Sequence, residues 1–470
     1  MNCVKLVLAA IKKEPEKIAI QMIRGDKASF RELEVIARKT QALLLEKGVQ
    51  KGDHVLLFIP LSPMLYGTII GLAAMGVSIV LVEPWMPVAK INRLIGKIRP
   101  KAFITGSLGM LWGMRSQGVR NIPLWLKERS IDQMIGINDL KIEEQLDEAP
   151  AIITFTTGTT GEPKGMIRSH SYLADQHRIL SASLGSELGP DLCIFANFAL
   201  GNLASGRTSI IVTPKWKVKD LNALDSLPDD LAPQSLTCGP GFLLKLMKHA
   251  NVPSLKSIHV GGALTDCWIF EHAFDKWPST HFTHLYGSTE VEPVALVDAK
   301  LAVKKSREAG FFQTVFLGKP IESIKSRIEA DTVWVSGPHV CPKYLYNPSE
   351  NHKNKHTDHD GQVWHRMGDR IKQDEGFWWY RGRSGQAEES FMNEQYLYKA
   401  IGSSAGFLNE EGGIPIYYGQ NASLQKDVIQ RAIPRITKVM SINIKRDPRH
   451  KARIDRVASM NARHWIGGIL

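Results

Sequence analysis

The feature that most constrains the fold is a regular alternation of short apolar segments with helical segments. In the first third of the chain, residues 54–59, 77–82 and 102–105 are predicted strands, and helices are predicted to begin at Pro63 and near Ala89. Such alternation is typical of a parallel sheet with helices on both faces. The chain therefore predicts at least one doubly wound α/β sheet.

The same alternation of strands and helices is predicted in the second third of the chain and then stops. Further strands are predicted at residues 151–155, 208–212, 256–260 and 281–285. After about residue 310 the pattern changes. Apolar and polar residues alternate over 324–335, a short strand is predicted at 362–365, and a hairpin that turns at 374–376 is predicted at 370–380. These shorter segments predict a small antiparallel β-barrel.

We therefore predict an α/β chain with two domains. A large N-terminal domain, residues 1–381, contains two doubly wound sheets and the small β-barrel. A small α+β lid domain follows at residues 382–470. The chain of 470 residues has 43% hydrophobic and 23% charged residues, which excludes a disordered or collagen-like protein.

One uncharged segment, residues 65–82, is just long enough to span a membrane. The helix start and stop signals of this segment argue against a membrane span. Ser62 and Pro63 are a typical helix start, Gly76 is a typical helix stop, and the β-branched residues 77–82 follow. We predict a buried helix followed by a buried strand, and no membrane span.

The cysteines and the first residues bear on the compartment. The five cysteines are scattered and contain no Cys-x-x-Cys pair, which argues against a disulfide framework or a structural zinc site. Residues 4–11 are apolar apart from Lys5, but this segment is short and Lys12 and Lys13 follow it, so we expect no signal peptide. These features predict a cytoplasmic location.

The net charge of +12 is concentrated at the C-terminus, where residues 431–470 contain ten cations and two carboxylates. A nucleic-acid-binding protein is the first alternative for such a charge. No recognition motif or interleaved aromatic residues accompany it, so we expect no nucleic-acid partner. A basic lid that closes over polyphosphate, or that meets an acidic partner, fits better.

Residues 347–361 are strongly polar and contain His352, His356 and His359. Three histidines could hold a metal ion, but nothing in the sequence places them on a rigid element. We therefore expect this segment to be a solvated loop.

The strongest motif is Thr-Phe-Thr-Thr-Gly-Thr-Thr-Gly-Glu-Pro-Lys-Gly at residues 154–165. It follows an apolar strand, its glycines let backbone N–H groups turn toward an anion, and its hydroxyls can donate to phosphate oxygens. Lys164 adds a mobile cation. Gly-Lys-Ser/Thr does not follow Gly161, so this is no Walker loop. The candidate phosphate-binding residues are Thr156, Thr157, Gly158, Thr159, Thr160, Gly161 and Lys164.

This run resembles the phosphate-binding loop of the adenylate-forming enzymes, which include acyl- and aryl-CoA synthetases, firefly luciferase and peptide-synthetase adenylation domains. Four further signatures of that family follow in the family's order. They are Gly261-Gly262-Ala263, Tyr286-Gly-Ser-Thr-Glu290, Arg366-Met-Gly-Asp369 and Gly382-Arg383. The resemblance covers roughly residues 15–456.

The resemblance implies a role for each matching residue. Tyr286 stacks on adenine, Thr289 contacts the α-phosphate, Glu290 holds Mg²⁺ and Asp369 binds the ribose hydroxyls. The implied catalytic residues are Lys164, Thr289, Glu290 and Arg453. The nucleotide site adds Gly262, Tyr286, Gly287, Asp369 and Arg383 to the Thr-rich loop, and the acyl site contains Phe198, Gly261, Gly262 and Ala263.

The chain departs from the family pattern in its lid. Gly385 stands where the family generally has an Asp or Lys hinge, and residues 387–393 do not match the V/I-K-x-x-G loop that shapes the tunnel for CoA or a carrier. Arg453 precedes Ile-Asp-Arg where the family has Lys, so it is the expected lid cation, with Lys451 as the competitor.

The segment at residues 195–205 is mostly apolar and contains no charged side chain. It favours a hydrophobic acid, since an amino-acid substrate would need an acidic partner for its ammonium. This segment, Tyr286–Ala295 and Pro448-Arg-His450 together resemble a sub-branch that contains fatty-acid ligases and β-lactone synthetases.

The predicted function is that of an ATP- and Mg²⁺-dependent ligase. It activates a small-molecule carboxylic acid as an acyl-adenylate, with CoA or an acyl carrier protein as the acceptor. Two alternatives stay open. One is a β-lactone synthetase that cyclises a 3-hydroxyacyl-adenylate without CoA, and the other is a degenerate, non-catalytic AMP-binding protein.

Overall fold

The structure is a computed structural model that describes residues 2–84, 86–157, 163–185, 189–213, 216–385, 387–402, 406–445 and Ser459. In these residues the strands are β1 (Ile18–Met22), β2 (Lys27–Ser29), β3 (His54–Phe58), β4 (Ser78–Leu81), β5 (Ala102–Thr105), β6 (Leu124–Lys127), β7 (Pro150–Thr157), β8 (Pro163–Ser169), β9 (Asp191–Cys193), β10 (Ser209–Ile211), β11 (Ser235–Cys238), β12 (Ser257–Gly261), β13 (His281–Ser288), β14 (Val291–Asp298), β15 (Phe316–Pro320), β16 (Lys325–Glu329), β17 (Thr332–Ser336), β18 (Tyr344–Leu345), β19 (Lys355–Thr357), β20 (Val363–Asp374), β21 (Phe377–Arg383), β22 (Gly406–Glu411), β23 (Ile414–Gly419) and β24 (Lys438–Ser441).

The helices accompany these strands in the alternating order that the sequence predicts for the first 290 residues. They are α1 (Val4–Lys13), α2 (Phe30–Glu46), α3 (Pro63–Ala74), α4 (Val88–Ile98), α5 (Ser107–Met114), α6 (Gln117–Arg120), α7 (Arg129–Asp132), α8 (His170–Leu184), α9 (Ala196–Ser205), α10 (Val218–Leu221), α11 (Pro240–His249), α12 (Cys267–Lys276), α13 (Ala299–Glu308), α14 (Pro348–Asn354), α15 (Glu388–Ile401) and α16 (Lys426–Ala432).

The first sheet has the strand order β18-β8-β7-β4-β3-β5-β6. Its strands β7, β4, β3, β5 and β6 are parallel, and β8 returns antiparallel to β7. Alternate residues of β3 face opposite layers: Val55 and Leu57 pack in one core cluster with α2 and α3, and Leu56 packs in another with α4. Helices thus cover both faces, as predicted.

The second sheet contains parallel strands in the order β1-β10-β9-β11-β12-β13. It continues without a break through the antiparallel strands β14 and β15 into β21, β20, β17 and β16. The antiparallel part that the sequence predicts is therefore continuous with the second doubly wound sheet. This continuity places the end of β13 beside β20 and β21.

Helix starts follow the predicted capping chemistry. Ser29 accepts from Glu32 N while the Glu32 side chain accepts from Ser29 N, which is the predicted capping box. Ser62 caps α3, and all but one of the twelve residues of α3 are buried. None of the helices in the described ranges combines the length and the apolar character that crossing a membrane requires.

Residues 324–335 form the antiparallel hairpin β16–β17, in agreement with the antiparallel part that their alternation predicts, and Ala330 and Asp331 turn the chain with positive φ. Two local predictions were wrong, the short strand at 362–365 and the loop at 347–361. The short strand predicted at 362–365 is twelve residues long, because β20 has partners on both sides.

The predicted loop at 347–361 contains a helix and a strand instead. The Asn347 side chain accepts from Glu350 N, and Pro348 occupies the first turn, so α14 forms. β19 then pairs with β20. His352 lies on α14 and His356 on β19, and the described residues contain no group of three potential metal-binding His, Cys, Asp or Glu side chains.

The C-terminal part has the predicted α+β composition. Strands β22, β23 and β24 form a separate three-stranded sheet, and α15 and α16 pack on it. On its other side α15 contacts the preceding part of the chain, where Phe391 packs with Phe311 and Val315. The boundary proposed between residues 381 and 382 stays a prediction.

Close packing of α2 on α3 generates a stability prediction. A Cβ at Gly71 would lie 2.7 Å from the carbonyl oxygen of Ala37 and 3.2 Å from its Cα, and backbone atoms cannot move aside cheaply. We expect Gly71→Ala to reduce the free energy of unfolding in urea by about 1–3 kcal/mol. Gly96→Ala on α4 is the matched control, because a Cβ there has no heavy atom within 4 Å. We expect it to raise the free energy of unfolding by up to about 1 kcal/mol, since alanine favours the helix over glycine. Equal effects of the two changes would contradict this packing.

Candidate active site

The Thr-rich motif lies at a β-hairpin. Register pairs Thr157 with Pro163, Thr156 with Lys164 and Phe155 with Gly165. A Cβ at Gly165 would lie 2.8 Å from the Phe155 ring, so glycine is needed for this close approach. The predicted binding residues Gly158, Thr159, Thr160 and Gly161 lie outside the described residues, and so do the side chains of Thr156 and Thr157.

The next two motifs lie at the carboxyl ends of neighbouring parallel strands. Gly261 ends β12, and a Cβ there would approach the Leu285 carbonyl oxygen of β13 to 2.7 Å. Gly262 follows with φ +81° and Ala263 comes next. The segment Tyr286–Glu290 forms the end of β13 and the turn into β14. In doubly wound sheets ligands bind at this edge, so the two motifs share one candidate site.

An arginine connects the hairpin to this turn. Arg168, on β8, donates to the hydroxyl of Thr154 on β7 and to the carbonyl oxygen of Thr289, the latter at 3.3 Å. Gly287 is tightly placed in the same turn, because a Cβ there would lie 3.0 Å from the Val291 carbonyl oxygen. The phosphate-loop hairpin and the Tyr286–Glu290 motif are therefore directly connected.

The Asp369 carboxylate joins three of the predicted residues. The Tyr286 hydroxyl donates to Asp369 Oδ2 at 2.7 Å, and the Arg383 guanidinium donates to Asp369 Oδ1 at 2.6 Å. The Asp369 side chain is 8% exposed. Burial, and then the charge of Asp369, raise the pKa of Tyr286, and the same carboxylate raises the pKa of Arg383. Tyr286 is thus a neutral donor and Arg383 a fixed cation.

Glu290, the predicted Mg²⁺ residue, is an ionised carboxylate. The Tyr344 hydroxyl donates to its Oε1 at 2.8 Å. Burial alone would raise the pKa of Glu290, but nearby His365 and Lys355, with the hydrogen bond from Tyr344, lower it to about 2. One carboxylate oxygen is held by Tyr344, and the carboxylate is in the charged form that a divalent cation requires.

Sequence reasoning missed three residues that interact with Lys164 or Glu290, namely Tyr344, Glu350 and Lys355. Glu350 forms an ion pair with Lys164, and their side chains are only 7% and 14% exposed. The ammonium groups of Lys164 and Lys355 lie 5.1 and 5.0 Å from the centre of the Tyr344 ring. Lys164 is thus paired rather than free in this structure. The signal for Glu350 was present, because Asn347-Pro348 is a helix start.

The acyl-site prediction falls on α9. Phe198 lies on this helix, packs against the first core cluster and has its ring centre 6.1 Å from that of Phe195. The helix α9 contains no charged residue along its whole length. The predicted lid cation Arg453 and its competitor Lys451 lie outside the described residues.

With this geometry in hand, comparison with known proteins identifies the class. Residues 7–345 match the AMP-binding enzyme family, and the chain belongs to that family. It is an adenylate-forming ligase, as the sequence motifs predict.

Three curated relatives illustrate the range of the family. Peroxisomal OPC-8:0-CoA ligase 1 of Arabidopsis thaliana is 25% identical over 385 residues, 75% of this chain and 69% of that protein. The olefin β-lactone synthetase of Stenotrophomonas maltophilia (strain K279a) is 26% identical over 418 residues, 78% of this chain and 74% of that protein. Tyrocidine synthase 2 of Brevibacillus parabrevis is 26% identical over 347 residues, 69% of this chain, which spans only 9% of that much longer protein.

Solved structures confirm the fold over nearly the whole chain. The amide bond synthetase McbA from Marinactinospora thermotolerans superposes with a TM-score of 0.81 at 16% identity, covering 99% of both chains. The o-succinylbenzoate-CoA synthetase MenE from Bacillus subtilis, in complex with ATP and magnesium ion, gives 0.79 at 18% identity and covers 96% of this chain and 99% of that one. Both agree with the predicted architecture of a sheet-rich N-terminal region and a small C-terminal domain.

The Asp369–Arg383 pair generates the second prediction. Arg383→Met leaves a buried carboxylate with one donor fewer, so we expect a loss of about 1–3 kcal/mol in the free energy of unfolding. Arg178→Met is the matched control, because it removes an exposed pair with Asp175 whose arginine is 67% exposed and should change stability by less than about 1 kcal/mol. Indistinguishable urea midpoints for the two variants would contradict the proposed geometry.

Proposed function

We propose that the protein activates a hydrophobic carboxylic acid with ATP and Mg²⁺, forming an acyl-adenylate and releasing pyrophosphate. The single observation that carries the proposal is the junction of Tyr286, Asp369 and Arg383 next to Glu290 and the Thr-rich hairpin. Tyr286, Asp369 and Arg383 lie on strands of the larger sheet, Glu290 follows in the turn after β13, and Arg168 connects that turn to the hairpin β7–β8 of the first sheet. This arrangement supports a nucleotide site between the two sheets.

The nucleotide is proposed to lie at this junction. The Tyr286 ring offers a flat surface for adenine, and its hydroxyl is already used to orient Asp369. With both oxygens of Asp369 hydrogen-bonded, the carboxylate is held in one orientation from which its remaining lone pairs can accept from the ribose hydroxyls. Thr289 follows in the same turn and is proposed to meet the α-phosphate.

Glu290 suits a magnesium ion that arrives with the nucleotide. Mg²⁺ is usually bound by one or two carboxylates together with substrate phosphates, so a single ionised carboxylate beside a phosphate loop fits it. When bound, the ion supplies positive charge to the phosphoryl oxygens. The solved complex of the MenE synthetase with ATP and magnesium supports the same pair of cofactors for this chain.

Charge stabilisation is the main contribution we assign to the chain's own residues. Attack of a carboxylate on the α-phosphate spreads negative charge over the phosphoryl oxygens, and catalysis of this step depends on positioning and electrostatics. Lys164, the hydroxyls of the Thr-rich loop and the lid residue Arg453 are the proposed donors. Gly385, with φ +87°, is the proposed hinge, since glycine adopts this conformation without strain.

The acid is proposed to be hydrophobic because α9 offers no charged partner for an ammonium group. Two alternatives stay open for the acyl group: transfer to a thiol acceptor, or a reaction that needs no acceptor. CoA ligases among the relatives support CoA, and the peptide synthetases support a carrier protein. We also propose a cytoplasmic location, supported by five free cysteines.

A β-lactone synthetase is a second candidate, favoured by one structural observation. α15 begins at Glu388, five residues after Arg383, so the segment where the acceptor-tunnel loop was sought is helical. Glu388 is held by Arg381 and by Arg370. The match to olefin β-lactone synthetase over 418 residues agrees with this interpretation.

The third prediction separates nucleotide from metal binding. We expect Asp369→Ala to raise the KM for ATP and Glu290→Gln to raise the Mg²⁺ concentration for half-maximal pyrophosphate release by about 10–100-fold. Glu271→Gln, which removes an exposed partner of Arg307, should change neither quantity. If Asp369→Ala and Glu290→Gln shift the same parameter equally, the assigned roles are wrong.

The fourth prediction concerns the acceptor. A panel of straight-chain and 3-hydroxy acids is incubated with ATP, Mg²⁺ and the protein, with and without CoA, and the products are identified by mass spectrometry. A thiol ligase gives acyl-CoA only when CoA is present. If the 3-hydroxy acid gives a lactone both with and without CoA, the protein is a β-lactone synthetase. If none of the acids supports pyrophosphate release, the protein is non-catalytic.

A further inference from the structure

A largely buried polar cluster joins Lys164 and Glu290 to residues that belong to none of the sequence motifs. We call it the Tyr344 cluster and define it as Lys164, Glu290, Tyr344, Glu350 and Lys355. Each residue comes from a different element: β8, the turn after β13, β18, α14 and β19, respectively. Two ammonium groups and two carboxylates thus surround one tyrosine.

The contacts of the cluster form a continuous path. Lys164 pairs with Glu350 and lies over the Tyr344 ring, whose hydroxyl donates to Glu290. Lys355 lies over the same ring and donates to the Cys341 carbonyl oxygen at 2.5 Å. The path therefore connects the lysine of the Thr-rich hairpin to the proposed magnesium carboxylate.

The carboxylate of Glu350 is held firmly by its own helix. Asn354 Nδ2 donates to Glu350 Oε2 at 2.8 Å. Tyr344 N donates to Asn351 Oδ1 at 2.7 Å, and Asn351 Nδ2 donates back to the Tyr344 carbonyl oxygen at 2.8 Å. α14 is thus joined to β18 through both backbone polar groups of Tyr344, which fixes Glu350 relative to Tyr344.

Burial makes the Lys164–Glu350 pair costly to separate. Both side chains are mostly withdrawn from water, and removing one partner of such a pair leaves an uncompensated buried charge. The ammonium of Lys164 consequently has one preferred place, between Glu350 and the Tyr344 ring. A cation fixed in advance stabilises developing charge without reorganising during the reaction.

We propose that Glu350 is a positioning residue that holds the Lys164 ammonium at the base of the Thr-rich hairpin and thereby sets its place relative to the ATP phosphates. Glu350 acts only through Lys164 and does not touch the substrate. This inference rests on the proposed function, because it concerns the step in which ATP reacts.

A double-mutant cycle in the full chain tests the proposal, with pyrophosphate release and direct calorimetric binding of ATP as separate readouts. We expect Lys164→Met to reduce kcat by about 100-fold, in the range for loss of an aimed transition-state donor. Glu350→Gln should reduce kcat by about tenfold while the ATP Kd changes by less than about threefold. The double variant should be no slower than Lys164→Met alone, since a positioning residue has no effect once its target is gone.

A matched control removes a buried carboxylate elsewhere. Glu394 is 5% exposed on α15 and accepts from Leu408 N, so Glu394→Gln costs stability without touching the cluster. Its effect on kcat should multiply with that of Lys164→Met. If Glu350→Gln does not fold, Glu350→Asp provides the cycle, because it keeps the charge but withdraws it from Lys164 by one methylene.

Two results overturn the inference in distinguishable ways. If wild type binds ATP and releases pyrophosphate but the Lys164 and Glu350 effects multiply, Glu350 has only a structural role and the proposed function stands. If wild type neither binds ATP nor releases pyrophosphate with any acid, the proposed function fails and the positioning role fails with it.

Discussion

The interaction on which the rest of the site depends is the hydrogen bonding of one buried carboxylate. Asp369 accepts from Tyr286, at the end of a parallel strand, and from Arg383, on the antiparallel hairpin. The larger sheet has to continue from β13 through β15 to β21 and β20 for these residues to meet. These two hydrogen bonds therefore join the doubly wound part to the antiparallel part, and the carboxylate that we propose to bind the ribose lies at their junction.

Around this junction the buried charges are paired. Glu290 is ionised and faces Tyr344, while Lys164 is balanced by Glu350 rather than by solvent. Preorganised charge of this kind is the main way that a protein lowers the barrier to phosphoryl transfer. The same balance explains how two lysines and two carboxylates can be accommodated beside one ring without leaving a net buried charge.

The fold could be predicted from local signals wherever those signals are strong. The strand at 102–105 and the caps at Ser29 and Ser62 follow directly from apolar runs and short-range side-chain chemistry. The length of β20 and the presence of β19 could not be predicted, because strand neighbours distant in sequence determine them. The helix α14 was missed although Asn347-Pro348 signalled it, since polarity alone suggested a loop. For the candidate site, Tyr286, Glu290 and Asp369 could be predicted because each belongs to a contiguous motif. The significance of Tyr344, Glu350 and Lys355 lies in contacts with Lys164 and Glu290 that no sequence spacing reveals.

The most direct test of the central claim is the fate of isotopic oxygen in the activation step. The protein is incubated with ATP, Mg²⁺ and an acid whose carboxylate is labelled with ¹⁸O, the acyl product is hydrolysed in unlabelled water, and AMP is analysed by mass spectrometry. Formation of an acyl-adenylate, with attack of the carboxylate on the α-phosphate and hydrolysis at the acyl carbon, predicts that one labelled oxygen leaves in AMP. Label in inorganic phosphate, or turnover that yields unlabelled AMP or ADP, would contradict the account.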